Sequence, residues 1–428
     1  MLVNFNVENF LSFMDKASLD LEAGSIREHS KNVIDAKIGT QDIRVLKTVT
    51  IMGANSAGKT NFLKAFSVMR DMVLNSSKDV QQASKEITPF LLNSKTEKAP
   101  SSFEAVFIAD KICYRYSFKA TSEKIYEEYL STIVKRKEEN IFVRIVDDIT
   151  VNKKFQNELR QKLNFIIDLA KENSLFLSVL AQFKIDFALN ISEWFQKSII
   201  SFDANIDSTI NYTAGLLSNP KYRSLIYDII KKTDLGFSTI EEEISEKSNY
   251  DKERQLFVAA LYDEELRNFT IKTKHIKYTA DFKPLHPVYF DLKKQESSGA
   301  QKFIALIGPI VKALVDSRLF MIDELDSKLH TLMVRLIIEL FNSPKFNPNG
   351  AQLIVTTHNE LLLKKLRRDQ MVFVNKNEYG LSSLSSLYGS KSGVRSDASF
   401  DKDYLQGKFG GVPKINDQLK LDLDFDQE

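Results

Sequence analysis

Apolar and polar residues alternate along 2–10 and again along 17–21, which predicts a pair of N-terminal strands. After a polar stretch, residues 45–52 read as a short strand that runs straight into Gly53. Phe62, Leu63, Phe66, Met69, Met72 and Val73 then recur at helical spacing within 60–74. Alternation returns on both sides of Ala109-Asp110-Lys111 and predicts a hairpin across 103–118. From about 125 to 289 the character changes: segments such as 153–171 and 191–200 have helical spacing, and the stretch as a whole predicts a mainly helical insertion. No heptad persists through four repeats, so no long coiled-coil arm is expected. Further on, 301–315 is apolar and helical, with a kink or break expected at Gly308-Pro309 because proline lacks the backbone donor. Residues 319–322 read as a buried strand, 329–341 as a helix and 353–355 as another strand. Strands alternating with helices imply an α/β fold with a mostly parallel sheet.

Composition narrows this picture. With 43% hydrophobic and 27% charged residues among 428, a wholly disordered chain is excluded and a large core is expected. Lys and Arg total 59 against 57 Asp and Glu, a formal charge of +2. That is too small for a protein that coats nucleic acid nonspecifically, so any such contact would be a local patch. The single cysteine, Cys113, can form no disulfide within the chain and sits in an alternating stretch as a small strand residue. The apolar run 303–311 is interrupted by Lys312, short of the ~20 residues a bilayer requires, and the N-terminus has no basic region ahead of an apolar one. The expectation is a cytoplasmic protein with no membrane partner. The last residues, 414–428, hold two Lys against four Asp and one Glu and are expected to form a mobile acidic tail.

Chemistry concentrates in four short segments. Gly53-Ala54-Asn55-Ser56-Ala57-Gly58-Lys59-Thr60 has the phosphate-loop spacing GxxxxGK[ST] between a predicted strand and a predicted helix. Its glycines allow successive backbone N–H groups to face phosphates at a helix N-terminus. Lys59 would reach the β- and γ-phosphates of ATP, and the Thr60 hydroxyl would bind Mg²⁺. Leu319-Phe320-Met321-Ile322-Asp323-Glu324 is an apolar strand ending in two acids, a Walker B arrangement in which Asp323 would hold the Mg²⁺ shell and Glu324 would polarise the attacking water. In Glu296-Ser297-Ser298-Gly299-Ala300-Gln301 the residues Ser298, Gly299 and Gln301 resemble the ABC signature LSGGQ, with Ser297 in place of Leu and Ala300 in place of the second Gly. The same segment also reads as a serine N-cap on an ordinary helix. His358 follows the strand ending at Thr357, as the switch histidine of ABC ATPases does, and Asp326 matches their D-loop aspartate. His330 reads as a helix-start residue. Gln41, Gln81 and Gln82 are not placed for a Q-loop role. Phe10 and Phe13 read as core residues, and Lys364-Lys365-Leu366-Arg367-Arg368 as a solvated basic helix face more readily than a phosphate-backbone contact.

The motif order resembles one family closely. It is joined by Val7-Glu8-Asn9-Phe10-Leu11-Ser12-Phe13, the segment 323–330, Thr356-Thr357-His358-Asn359, Arg367-Arg368-Asp369-Gln370 and Tyr404-Leu405-Gln406-Gly407-Lys408-Phe409-Gly410-Gly411-Val412-Pro413. Together these look like the RloA/AbiLi group of bacterial ABC-like AAA ATPases, relatives of RecF and the SMC-like repair ATPases. The resemblance implies an ABC-type P-loop head with N-terminal antiparallel strands, divided as 1–124 (first part of the head), 125–289 (insertion), 290–413 (second part of the head) and 414–428 (tail). It implies an ATPase with composite sites in a homodimer or higher oligomer, acting in phage defence. It also implies an effector from a neighbouring gene, a nuclease or toxin, and a phage protein or nucleic acid as trigger. The rival reading is a DNA-repair ATPase of the RecF type that loads on duplex DNA.

Overall fold

The structure, a computed structural model, describes residues 1–38, 41–78, 83–135, 137–159, 162–201, 206–244 and 269–388, together with 403, 404, 406, 408, 409 and 411. Five strands come first: β1 (Leu2–Glu8), β2 (Ala17–Asp20), β3 (Val33–Ile38), β4 (Gln41–Leu46) and β5 (Thr48–Met52). Helix α1 (Lys59–Asn75) leads to β6 (Ser101–Ala109), β7 (Ile112–Ala120), β8 (Ile125–Val134), β9 (Lys137–Ile145) and β10 (Asp148–Val151). Helices α2 (Lys153–Leu159), α3 (Leu163–Leu169), α4 (Phe176–Gln182) and α5 (Asp186–Lys197) precede the short β11 (Ile199–Ser201). Next are α6 (Ile206–Leu217), α7 (Pro220–Ile230), β12 (Thr239–Ile244), β13 (Phe269–Tyr278), β14 (Pro284–Asp291), α8 (Leu292–Gln295) and α9 (Ser298–Asp316). Last come β15 (Leu319–Ile322), α10 (Thr331–Asn342), β16 (Gln352–Thr357), β17 (Met371–Lys376) and β18 (Ser382–Ser386).

The central sheet has the order β11-β15-β16-β5-β17-β18. Its first five strands run parallel and β18 closes one edge antiparallel. Strands β5, β15 and β16 are buried along their whole length, as a parallel sheet covered on both faces requires. Their side chains divide between two cores: Val49, Ile51, Leu319 and Met321 face one, Met52, Phe320 and Ile322 the other. The first core lies against a seven-stranded antiparallel sheet of order β10-β9-β8-β7-β6-β1-β2. There Phe5 of β1 meets Phe62 and Phe66 of α1 at ring distances of 5.4 and 5.3 Å. Fully burying such a ring is worth about 1.5–3 kcal/mol, which fixes the helix that follows the phosphate loop. The second core is built by α6, α7, α9 and α10.

The mixed α/β class, the parallel sheet and the N-terminal strand pair are present as expected from the pattern. The stretch 125–289 departs from it. It opens with β8, β9 and β10, which extend the antiparallel sheet. Buried positions two apart, Glu128 and Leu130 in β8 and Phe142 and Arg144 in β9, accompany that pairing, and the period-2 signal is masked because two of them are charged. Later in the same stretch β11 pairs with β15 in the central sheet, and β12, β13 and β14 form a three-stranded sheet of their own. The expected helix 153–171 is two short helices, α2 and α3, and the expected strand 45–52 is split into β4 and β5.

Pro309 breaks nothing: α9 runs through it. The carbonyl of Ala305, which a residue with an N–H at 309 would occupy, accepts instead from the Thr213 hydroxyl of α6 at 2.9 Å. The Gly308 N–H donates to the same hydroxyl at 3.2 Å, and a Cβ at 308 would stand 2.4 Å from it. A neighbouring helix thus repairs the missing bond. Among the described helices α9 has the length and hydropathy of a membrane span, and it is the buried core helix of the second layer. Residues 81, 82 and 414–428 lie outside the described residues.

Candidate functional site

The sheet register brings the chemistry together. Met52 of β5 pairs with Thr357 of β16, and Ile322 of β15 with Val355, so three neighbouring parallel strands end side by side. Ligand sites of open α/β sheets form outside such carboxyl ends. Three segments leave from there: the phosphate loop, the Asp323-Glu324 pair and His358.

The loop conformation depends on its glycines. Gly58 has φ 117°, and a Cβ there would stand 2.5 Å from Ser382 Oγ and 2.8 Å from Ser12 Oγ. A Cβ on Gly53 would meet the Val374 carbonyl at 2.6 Å. Lys59, at the first position of α1 and buried, donates to the Gly53 and Ala54 carbonyls at 2.9 and 3.1 Å. Its third contact is His358 Nε2 at 2.9 Å. An ammonium can only donate, so Nε2 accepts and the ring proton sits on Nδ1. Burial pulls the Lys59 pKa down, against the upward pull of Glu324, Asp323 and Asp326. Burial and then the Lys59 charge lower the His358 pKa, which favours the neutral ring.

The acid pair is joined to both neighbouring strands. Asp323 Oδ2 accepts from Thr60 Oγ1 at 2.8 Å and Oδ1 from Thr356 Oγ1 at 2.6 Å. Glu324, exposed and at φ 47°, donates its N–H to Thr356 Oγ1 at 2.7 Å, while the Thr356 carbonyl accepts from Leu325 N at 3.0 Å. Asp326 Oδ2 accepts from the His358 N–H at 3.0 Å, and its buried Oδ1 has no partner. An open cleft of about 630 Å³ is lined by Lys59, Thr60, Glu324, Asp326 and His358, with Asn55, Ser56 and Gly58 beside them.

Lys59, Thr60, Asp323, Glu324, Asp326 and His358 are therefore gathered in one place. Ser298 and Gly299 are not among the cleft-lining residues. They form the first turn of α9, where Ser297 Oγ caps by accepting from Ala300 N at 3.2 Å and Ser298 is exposed. His330 is an N-cap, its Nδ1 accepting from Leu332 N at 3.2 Å. Within the basic segment Lys365 is exposed, as a solvated face requires, but Arg367 departs from that expectation: it is 1% exposed and donates to Asp369 and to the carbonyls of Gly24, Ile26 and Glu28. Gln370 continues the clamp, donating to the Thr48 carbonyl at 2.9 Å and accepting from Asn32 at 2.8 Å. Tyr404 stacks on Phe373 at 5.5 Å, and a Cβ on Gly411 would stand 3.2 Å from the Gly53 Cα.

Sequence reasoning passed over several contributors. The Thr356 hydroxyl satisfies the Asp323 carboxylate and the Glu324 backbone N–H, yet in sequence it is one β-branched residue in a strand of them. Ser12 and Ser382 support the loop from outside: Ser12 Oγ accepts from Asn61 at 2.9 Å, and Ser382 Oγ donates to the Ala57 carbonyl at 2.6 Å. Asn61 and Lys376 line the cleft, and Lys302 of α9 donates to the Glu324 carbonyl at 2.9 Å.

A family described as "AAA domain, putative AbiEii toxin, Type IV TA system" matches residues 49–364, a span that contains all four chemical segments. No curated protein matches the chain. Among solved structures the chain is similar to the "SMC head domain from Thermotoga maritima", with 14% identity and a TM-score of 0.40 over 90% of this chain and 98% of that one. It is also similar to the SmcHead bound to the C-winged helix domain of ScpA, with 12% identity and a TM-score of 0.44 over 90% and 97%.

Proposed function

The chain belongs to the AAA-domain family that matches residues 49–364, and on that premise we propose that it is a dimeric ATPase switch controlling a partner effector in bacterial anti-phage defence. The observation that carries the ATPase reading is the meeting of Lys59, the Thr60–Asp323 pair and Glu324 at the ends of β5 and β15. Lys59 and the backbone amides at the start of α1 receive the phosphates. Thr60 Oγ1 and Asp323 Oδ2, two hard oxygens 2.8 Å apart, fit Mg²⁺. Among the described residues no three His, Cys, Asp or Glu gather as a self-sufficient metal cage, which suits a cation whose shell phosphate oxygens and water complete. When bound, Mg²⁺ neutralises charge on the β- and γ-phosphates. Glu324, free to face the cleft, orients and deprotonates water; Thr356 holds its backbone. His358 stands against Lys59, placed to respond when that lysine turns to phosphate.

Ser298 is exposed at the first turn of α9 and neither it nor Gly299 lines the cleft of its own chain, which supports a composite site completed by a second copy. The family description, "putative AbiEii toxin, Type IV TA system", supports a two-component context in which this chain acts together with a partner protein. The test is co-expression with the neighbouring gene product. ATP hydrolysis, with effector co-purification that differs among wild type, Lys59→Ala and Glu324→Gln, is the expected result. Identical co-purification in all three overturns the switch. Duplex binding by the isolated protein, falling steeply with salt, supports the DNA-loading alternative.

A further inference from the structure

Lys302 is a buried cation beside the acid pair. It is 3% exposed, in the second turn of α9, and its Nζ donates to the backbone carbonyl of Glu324 at 2.9 Å. It also borders a small gap with Asp323. A helix places residues four apart on the same face, so Lys302 lies directly beneath Ser298. The same first turn touches the acidic loop at a second point: a Cβ on Gly299 would stand 2.8 Å from the Lys328 carbonyl. Glu324 and Lys328, the two ends of that loop, both have positive φ, at 47° and 58°. Non-glycine residues hold this conformation only when surrounding contacts enforce it.

We infer that Lys302 is a positioning residue that ties the N-terminal turn of α9 to the Glu324 backbone, so that the turn and the loop 324–328 move as one body. The consequence rests on the ATPase reading above. Ser298 of one copy engages the nucleotide of its partner, while Lys302, one turn below, sets Glu324 over the nucleotide of its own copy. Engagement across the dimer is thereby converted into the position of the water-orienting carboxylate, and the two sites fire together. The role inferred for Lys302 is exerted through the Glu324 backbone.

The experiment compares full-length wild type, Lys302→Met and Lys302→Arg. In the nucleotide-free protein, hydrogen exchange of the peptide spanning 323–329 should be faster in Lys302→Met than in wild type and restored in Lys302→Arg, which keeps a donor. Turnover should fall about 10- to 100-fold in Lys302→Met, the worth of one charge-assisted hydrogen bond. Affinity for a fluorescent ATP analogue should be unchanged, and the Hill coefficient of hydrolysis should drop from above 1 toward about 1. Unchanged exchange at 323–329, or a lower melting temperature with turnover and Hill coefficient intact, overturns the inference. If wild type neither binds nor hydrolyses ATP, the ATPase reading fails instead, and the exchange comparison still decides whether Lys302 holds the loop.

Discussion

Thr60 Oγ1 and Asp323 Oδ2 lie 2.8 Å apart, so one hydroxyl joins the helix after the phosphate loop to the strand end that carries the acid pair. The two residues are 263 positions apart in the chain. They meet because β16 inserts between β5 and β15, and the Thr356 side chain on that inserted strand then reaches the other Asp323 oxygen. In the proposed reaction this arrangement separates binding from turnover, with Lys59 assigned to the phosphates and Glu324 to water.

Lys59→Ala should therefore abolish binding of an ATP analogue, while Glu324→Gln should bind it and lose about 10²- to 10⁴-fold in kcat. Equilibrium binding and steady-state phosphate release check both. Parental turnover by Glu324→Gln would remove Glu324 from its role.

Thr356→Val keeps the strand shape and removes the shared hydroxyl. Asp323 Oδ1 and the Glu324 N–H each lose a partner, and an orphaned buried group costs about 1–3 kcal/mol. A lower melting temperature is expected, together with slower turnover at little-changed nucleotide affinity. Calorimetry and kinetics on the same preparation separate the two effects.

Arg367→Ala should act on stability alone. The guanidinium is buried, paired with Asp369 at 2.7 Å, and holds three carbonyls of the 24–28 segment. Breaking such a pair leaves an uncompensated buried carboxylate, at about 3–5 kcal/mol. Chemical denaturation should show the loss, and nucleotide affinity below the unfolding transition should match wild type.

His358 gives a pH dependence of definite sign. Its folded pKa lies below the ordinary 6.5, chiefly through burial and then through Lys59, so at lower pH the unfolded chain takes up the proton first. The stabilising contribution is present above 6.5 and is lost as pH falls from there through the folded value. Melting temperatures of the nucleotide-free protein above and below 6.5 should show this slope, and His358→Gln should reduce it.

The proposed composite site predicts complementation. Mixing Lys59→Ala with Ser298→Arg chains should restore one working site per heterodimer, whereas each variant alone should be inactive. Full activity in a strictly monomeric preparation would falsify the composite site.

What the sequence determined by itself is local. The phosphate-loop spacing is legible because backbone geometry and anion contact lie within eight consecutive residues, and the strand with two terminal acids is equally self-contained. Helix α1, the hairpin at Asp110-Lys111 with both residues at positive φ, and strands β15 and β16 follow from periodicity and turn chemistry. The tertiary structure decided whatever depends on partners far away in sequence. β8 formed because β7 offered a free edge, β9 and β10 followed on the edges that β8 and β9 offered in turn, and β11 formed because β15 offered one. Pro309 stayed helical because Thr213 supplied the hydrogen bond that proline lacks. Arg367 became a buried clamp because three carbonyls of a distant loop surround it, and Thr356 and Lys302 entered the site through hydrogen bonds spanning 33 and 22 positions. Periodicity and short-range spacing record only which face of an element is apolar. Which polar group meets another across the core depends on sheet order and register, and these are settled only when the layers pack.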